Sequence, residues 1–272
     1  MKKSYFYSIG LTLAIIGSSC SRHSGSQTHT EGTESTGLDS LAYHFTSFKE
    51  FSPYISGEDS TQRDTTYFSA SYPIFDSRVD SLIKAQLFID GEDKASQVAQ
   101  SFLSGFNEYA EEQMAAGSQT LHGWFKEQNC DIILNVPGFL TLRNRINEYT
   151  GGAHGMYIEL WSNYDIRLHQ TLSLEDLIQD TTALKEITES YFRKQEGLAD
   201  TSSYGNDYFF EDETFVLADN FGLTKSGLLF YYNLYEIKPY VAGPTELLIP
   251  YQALRNILTK KGQEVVEAIK TT

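Results

Sequence analysis

The stretch "YTGGAHG", Tyr149 to Gly155, crowds three glycines around His154 and is where this chain could most readily do chemistry. An imidazole titrates nearest neutral pH, so it can act as a general base once a substrate and an orienting carboxylate or carbonyl stand beside it. Glu148 and Glu159 flank the stretch, and Glu148 is the carboxylate that would support His154 in a hydrolase or deacylase acting on envelope polymers. A plainer reading exists. Glycine supplies the positive φ that a reversal demands, and a histidine beside it can hydrogen-bond the turn's own backbone. A third reading makes the stretch a ligand contact through Tyr149, Gly152 and His154.

Other catalytic signatures are absent. The chain holds no Gly-x-Ser-x-Gly elbow, His-Glu-x-x-His pair, phosphate loop, Cys-x-x-Cys or calcium loop. Its histidines, at 23, 29, 44, 122, 154 and 169, show no i, i+2 or i, i+4 spacing of metal ligands, so neither a metal nor a cofactor is expected. Asp200, Asp207, Glu211, Asp212 and Glu213 could gather a calcium ion, but such a run reads first as a solvated acidic loop. Cys130 opens the apolar run "CDIILNV", where a thiol is a buried structural group rather than a nucleophile.

A second stretch, "PYVAGP", fixes φ at Pro239 and Pro244 and frees it at Gly243. It predicts a rigid exposed bend from which Tyr240 projects, pre-ordered for a ligand at low entropic cost.

The elements that must position these residues follow from periodicity. Alternating apolar residues make a strand of 66–74, an Asp76–Ser77 cap opens a helix, and three-and-four spacing from Val98 to Met114 makes a longer one that Gly117 stops. From Leu121 the period becomes two. Pro137-Gly138 and Gly151-Gly152 mark tight reversals, giving a three-stranded antiparallel meander. After it, Ser173 and Asp176 form a capping box, a helix spans 182–196 with Gly197 at its end, strands are expected at 214–218, 227–233 and 245–249, and a last helix at 251–259. The fold class is therefore α+β, with two small lobes, each an antiparallel sheet covered by helices.

The N-terminus is read separately. Met1-Lys2-Lys3 and the apolar run from Tyr5 to Ile16 have the shape of a secretory signal, and Gly17-Ser18-Ser19-Cys20 resembles a lipobox whose cysteine is acylated. The expected organisation is a lipoprotein signal at 1–19, a flexible Ser/Thr/Gly-rich tether at 20–40, and lobes at 41–168 and 169–272. With Cys20 lipidated, Cys130 has no disulfide partner. The net charge of −15, with no cluster of Lys and Arg, makes nucleic acid and anionic lipid surfaces poor partners and favours a cationic one. Aromatic content of 14% suits surfaces that stack on sugars or anchor a protein.

Together "YTGGAHG", "TLSLEDLI" at 171–178 and "YEIKPYVAGPTELLIPYQAL" at 235–254 resemble the signature of a bacterial envelope domain family. It is found in the extracellular part of the lysozyme-sensing anti-sigma-V factor and in the non-catalytic N-terminal region of a peptidoglycan deacetylase. The second motif departs from it at Lys238 and Val241. The sequence contains no sigma-binding segment, internal transmembrane helix or deacetylase domain, so those activities are not expected to carry over. The resemblance implies a binding or sensing role, non-enzymatic, toward peptidoglycan, another glycan or a lysozyme-like cationic protein, with Tyr149, Gly152, His154, Tyr240 and Gly243 as ligand contacts. A hydrolase using His154, or a structural subunit of a lipoprotein assembly, are the alternatives.

Overall fold

Alternating apolar and polar residues drive the first half of the chain into one sheet, and the computed structural model describes residues 29–31, 40–56, 64–75, 79–118, 121–205 and 207–272. The expected signal peptide, Cys20, most of the 20–40 segment and the Asp76–Ser77 cap lie outside these residues. The strands are β1 (His29–Glu31), β2 (Tyr43–Ser56), β3 (Asp64–Phe75), β4 (Phe125–Val136), β5 (Phe139–Tyr149), β6 (Met156–Asp165) and β7 (Gln170–Thr171). They lie in sequence order in a seven-stranded sheet. The expected meander is its centre, β4 to β6, with Gly138 at φ 86° in the Pro137-Gly138 turn.

Three findings extend the expectation. β2 and β1 add two further strands, and β1 pairs with Phe45 to Ser47 from within the segment expected to be a free tether. β3 and β4 run parallel, because the chain between them crosses the sheet through helices α1 (Val79–Leu87) and α2 (Ala95–Ala115). Those helices cover one face, where Phe68, Ala70, Val98, Ala99, Leu103 and Leu142 form a core. Met114, expected on the buried stripe, is 55% exposed at the last turn.

The second sheet is small and antiparallel, in the order β10 (Thr245–Pro250), β9 (Gly227–Tyr232), β8 (Phe221–Leu223). Helix α3 (Leu174–Leu177) starts at the expected capping box: Ser173 Oγ accepts from the Asp176 N–H, and Asp176 Oδ2 accepts from the Ser173 N–H at 2.8 Å. α4 (Thr181–Glu196) is capped by Asp180 and stopped by Gly197 in the left-handed conformation. Two expectations are corrected here. Residues 214–218 are loop and join no strand ladder, since Phe215 packs on Phe192 and the Val216 carbonyl accepts from the Tyr232 hydroxyl, and the strand comes later as β8. The last helix is two: α5 (Tyr251–Leu254) is broken where Leu258 bridges Ile178, and Thr259 caps a new helix, α6 (Lys260–Lys270).

The acidic loop after α4 is anchored by its aromatics rather than merely solvated. Phe192 of α4 is fully buried, and the rings of Tyr204, Tyr208, Phe210 and Phe215 surround it at 5.3 to 6.1 Å. Tyr204 and Tyr208 then reach back with their hydroxyls to Glu189 and Glu196 of the same helix.

The two lobes share a core. Leu134, Val136 and Phe139, at the β4–β5 turn, belong to the same buried cluster as Leu184, Phe192 and Phe230. The seam between the sheets is closed by side-chain amides that imitate a β-ladder. Asn220 accepts from the Trp161 N–H at 2.8 Å and donates to the Glu159 carbonyl at 2.7 Å. Asn163 donates to the Phe221 carbonyl and accepts from the Leu223 N–H, both at 2.8 Å. Trp161 lies so close over Gly222 that a Cβ there would sit 1.9 Å from its ring. At the far end Asp165, fully buried, takes the Lys261 ammonium of α6 at 2.6 Å and the N–H groups of Arg167 and Leu168.

Candidate functional site

The connection between β5 and β6 is not a two-residue reversal but the longer loop 150–155. Gly151 and Gly152 adopt φ of 101° and 93°, which only glycine takes easily, and a Cβ on Gly155 would meet the Glu148 carbonyl oxygen at 2.8 Å. The loop thus turns back closely on the end of β5 and carries His154 exposed. Tyr149 braces it by donating from its hydroxyl to the Gly152 carbonyl at 3.1 Å.

His154 meets the second motif. Its ring stacks on Tyr240 with centroids 4.2 Å apart and planes 20° from parallel, and lies 6.3 Å from the ring of Tyr235. Nδ1 faces the Gly155 carbonyl at 3.1 Å and can only donate to it, so in the neutral ring Nε2 is left to accept from the Tyr235 hydroxyl at 3.4 Å. Tyr235 and Tyr240 are themselves 5.5 Å apart. Two stretches separated by about eighty residues thus form one three-ring cluster.

Tyr240 does not project as expected. It opens a single 3-10 turn, Tyr240–Ala242, that lays its ring on His154, and the residue left in solvent is Val241 at 94% exposure. Gly243 ends that turn at φ 73°, its N–H donating to the Tyr240 carbonyl at 3.0 Å. With Met156 and Tyr235 also exposed, both loops present apolar surface beside the cluster.

Glu148 is not a partner of His154. Successive strand residues face opposite sides, and Glu148 pairs with Lys126 at 3.0 Å across β4 and β5. Glu159 lies within β6, 2% exposed, with Tyr157, Trp161 and Arg143 around it. Burial raises its carboxyl above the ordinary value, against the opposing pull of Tyr157, Arg143 and Trp161. Neither carboxylate orients the imidazole. Cys130 is buried, as expected, and burial pushes its thiol up to about 12, which makes it inert. Among the described residues no group of His, Cys, Asp and Glu could hold a metal ion.

Two residues that build the site were not among the expected ligand contacts: Tyr235, although it opens the motif at 235–254, and Asn233, just ahead of it. Tyr235 sits at φ 65°, a left-handed backbone that costs a bulky side chain on the order of 1–3 kcal/mol. What holds it there is Asn233, whose Oδ1 accepts from the Glu159 N–H at 2.8 Å, whose Nδ2 donates to the Glu159 carbonyl at 3.2 Å, and whose own N–H donates to Glu236 at 2.7 Å. Asn233→Ala orphans the Glu159 N–H while Asn220 keeps the Glu159 carbonyl satisfied, so a loss of about 1–2 kcal/mol in urea denaturation is expected, together with loss of the His154–Tyr235 contact in NMR. Unchanged stability and an unchanged ring contact would refute the clamp.

The fold and the cluster define a two-lobed α+β protein whose two motif loops meet in one aromatic site. Residues 175–252 match the DUF3298 family, described as a protein family of unknown function, and residues 60–157 match the family described as Deacetylase PdaC. These are the domain families to which the sequence motifs pointed, and each of the two matches contributes one loop of the cluster. A DUF3298 family member from Bacteroides fragilis is similar at 22% identity and a TM-score of 0.67, over 86% of this chain and 100% of its own. A DUF3298 family protein from Pseudomonas aeruginosa is similar at 21% and 0.57, over 83% and 98%. These similarities bear out the fold. No curated protein matches the chain.

Proposed function

We propose that this protein is a lipid-anchored, non-enzymatic binding or sensing module of the bacterial cell envelope, recognising peptidoglycan, another glycan or a lysozyme-like cationic protein through the His154–Tyr235–Tyr240 cluster. The observation that carries this reading is the stack itself: two distant motifs converge in one cluster in which His154 and Tyr235 are exposed and Tyr240 half-buried, and Tyr235 is held in a costly backbone conformation. Local strain that surrounding structure maintains is a pointer to a working surface. The net charge of −15 favours a cationic partner, and the family matched over 60–157 is named for a deacetylase. No described helix is long and apolar enough to cross a membrane, so attachment in this reading rests on Cys20.

The rival reading, a hydrolase or deacylase with His154 as base, draws on the same family name. It lacks a supporting carboxylate, since Glu148 is committed to Lys126. Titration of the soluble body with muropeptides and with lysozyme separates the two. His154→Ala and Tyr240→Ala are each expected to weaken binding about tenfold or more while leaving the fold intact. Absence of binding to either probe at high concentration would refute the binding module; turnover of an acetylated glycan that His154→Ala abolishes would establish the enzyme instead. Cys20→Ser is expected to move the protein from the membrane to the soluble fraction.

A further inference from the structure

The face of the large sheet opposite α1 and α2 carries a row of aromatic side chains. Strand pairing sets Phe51 opposite Tyr67, Tyr67 opposite Phe125, and Phe125 opposite Tyr149, so the row crosses β2, β3, β4 and β5 at right angles to the strands. The ring centroids follow one another at 6.0, 6.1 and 6.0 Å, and the last two pairs lie within 20° and 25° of parallel. Phe51 is 38% exposed and the other rings are half-buried. The helices pack against the alternate residues of the same strands, such as Phe68, on the other face. The row is continuous with the site already described, because Tyr149 at its end is the residue that braces the His154 loop.

The charges beside the row are met by the protein itself. The Lys49 ammonium lies 4.0 Å from the centroid of Tyr67, the Tyr67 hydroxyl donates to Glu127 at 2.6 Å, and Asp131 holds Arg143 and Arg145 at 2.9 and 2.8 Å. Between them stand the neutral amides Asn129, exposed, and Asn147. A polyanion or polycation would have to break these pairs. A chain of neutral sugars leaves the Tyr67–Glu127 and Asp131 contacts in place and displaces only the Lys49 ammonium from the faces of Tyr67 and Phe51: its weakly positive C–H faces suit the electron-rich ring faces, and its hydroxyls suit the amides.

We propose that this row is the binding track for a neutral linear glycan, lying across the strands from Phe51 toward the His154 loop. The proposal rests on the reading of the protein as an envelope-binding module and assigns the class and direction of its ligand. The probes are β-1,4-linked N-acetylglucosamine oligomers, from dimer to hexamer, titrated into the full soluble body. Affinity is expected to rise with length by about tenfold or more, and Tyr67→Ser and Phe125→Ser each to weaken the hexamer about three- to tenfold, while the ring-keeping Phe125→Tyr binds as the parent does.

Should the serine variants fail to fold, ring resonances of Tyr67, Phe125 and Tyr149 in the parent protein must still shift with the hexamer and less with the dimer. Equal affinity for dimer and hexamer, or ring resonances that do not move, would overturn the proposal. So would concentration-dependent self-association that Phe125→Ser abolishes, since a second copy would then be the occupant. Oligomer or lysozyme binding lost in His154→Ala but kept in both serine variants would overturn the track alone and leave the binding module standing.

Discussion

Phe192→Ala is expected to destabilise the protein by about 3–5 kcal/mol, the range for removing a fully buried ring from a site that cannot collapse around the gap. The site cannot collapse because five rings stand on Phe192 at once: Tyr204, Tyr208, Phe210 and Phe215 from the loop after α4, and Tyr232 from β9. Without the ring, that loop keeps its attachment to α4 only through polar contacts, among them the hydroxyls of Tyr204 and Tyr208 and the Arg193 guanidinium on the Ala199 and Ser202 carbonyls. Denaturant unfolding should show the loss, and for a chain of this size the midpoint temperature should fall by roughly 10 °C. Limited proteolysis should cut first between 198 and 220. Phe192→Leu, which keeps much of the volume, should cost about 1.5 kcal/mol or less. A loss below 1 kcal/mol for the alanine variant would mean that the loop holds itself together.

Asp165→Asn is expected to cost about 2–3 kcal/mol, less than the full cost of orphaning a buried charge because Lys261 is 24% exposed and keeps Glu264 at 3.4 Å. Its pH dependence is the sharper test. Burial alone would raise the Asp165 carboxyl, but the hydrogen bond from Lys261, the N–H of Leu168 and the charges of Lys261 and Arg167 together outweigh it and hold the group below its ordinary value. A carboxyl with a depressed folded value contributes stability that is complete above the unfolded value of about 3.9 and is lost as the pH falls through the lower folded one. The gap between parent and variant should therefore be constant near neutral pH and narrow in acid. A gap that persists undiminished into strong acid would show that Asp165 acts by shape alone.

Elements whose local residues suffice to specify them were legible: the β4–β6 meander from its alternation and the Pro137-Gly138 turn, α2 from its apolar stripe, α3 from Ser173 and Asp176. β2 was not, because Pro53 and the irregular pairing between Phe51 and Ile55 interrupt its alternation. The parallel β3–β4 pairing has no local signature, since it depends on where two intervening helices pack. Val216 and Phe215 imitate a strand by composition, yet the fold uses Phe215 as a plug for Phe192. At the site, the meeting of His154 and Tyr240 was foreshadowed only by two motifs occurring in one chain. Asn220 and Asn233, which set its geometry, follow no spacing rule, because an amide that caps a distant strand edge can come from any loop of suitable reach.

The amide seam also fixes how the protein responds to ionic strength. Asn163, Asn220 and Asn233 carry no charge, so the bonds that place the second sheet and Tyr235 against β6 are not screened by salt, whatever the medium around a chain of net charge −15. Added salt will weaken long-range attraction to a cationic ligand without loosening the joint behind the His154 cluster. A salt-dependent affinity is thus a direct measure of the ligand's charge, and a salt-independent one identifies a neutral ligand.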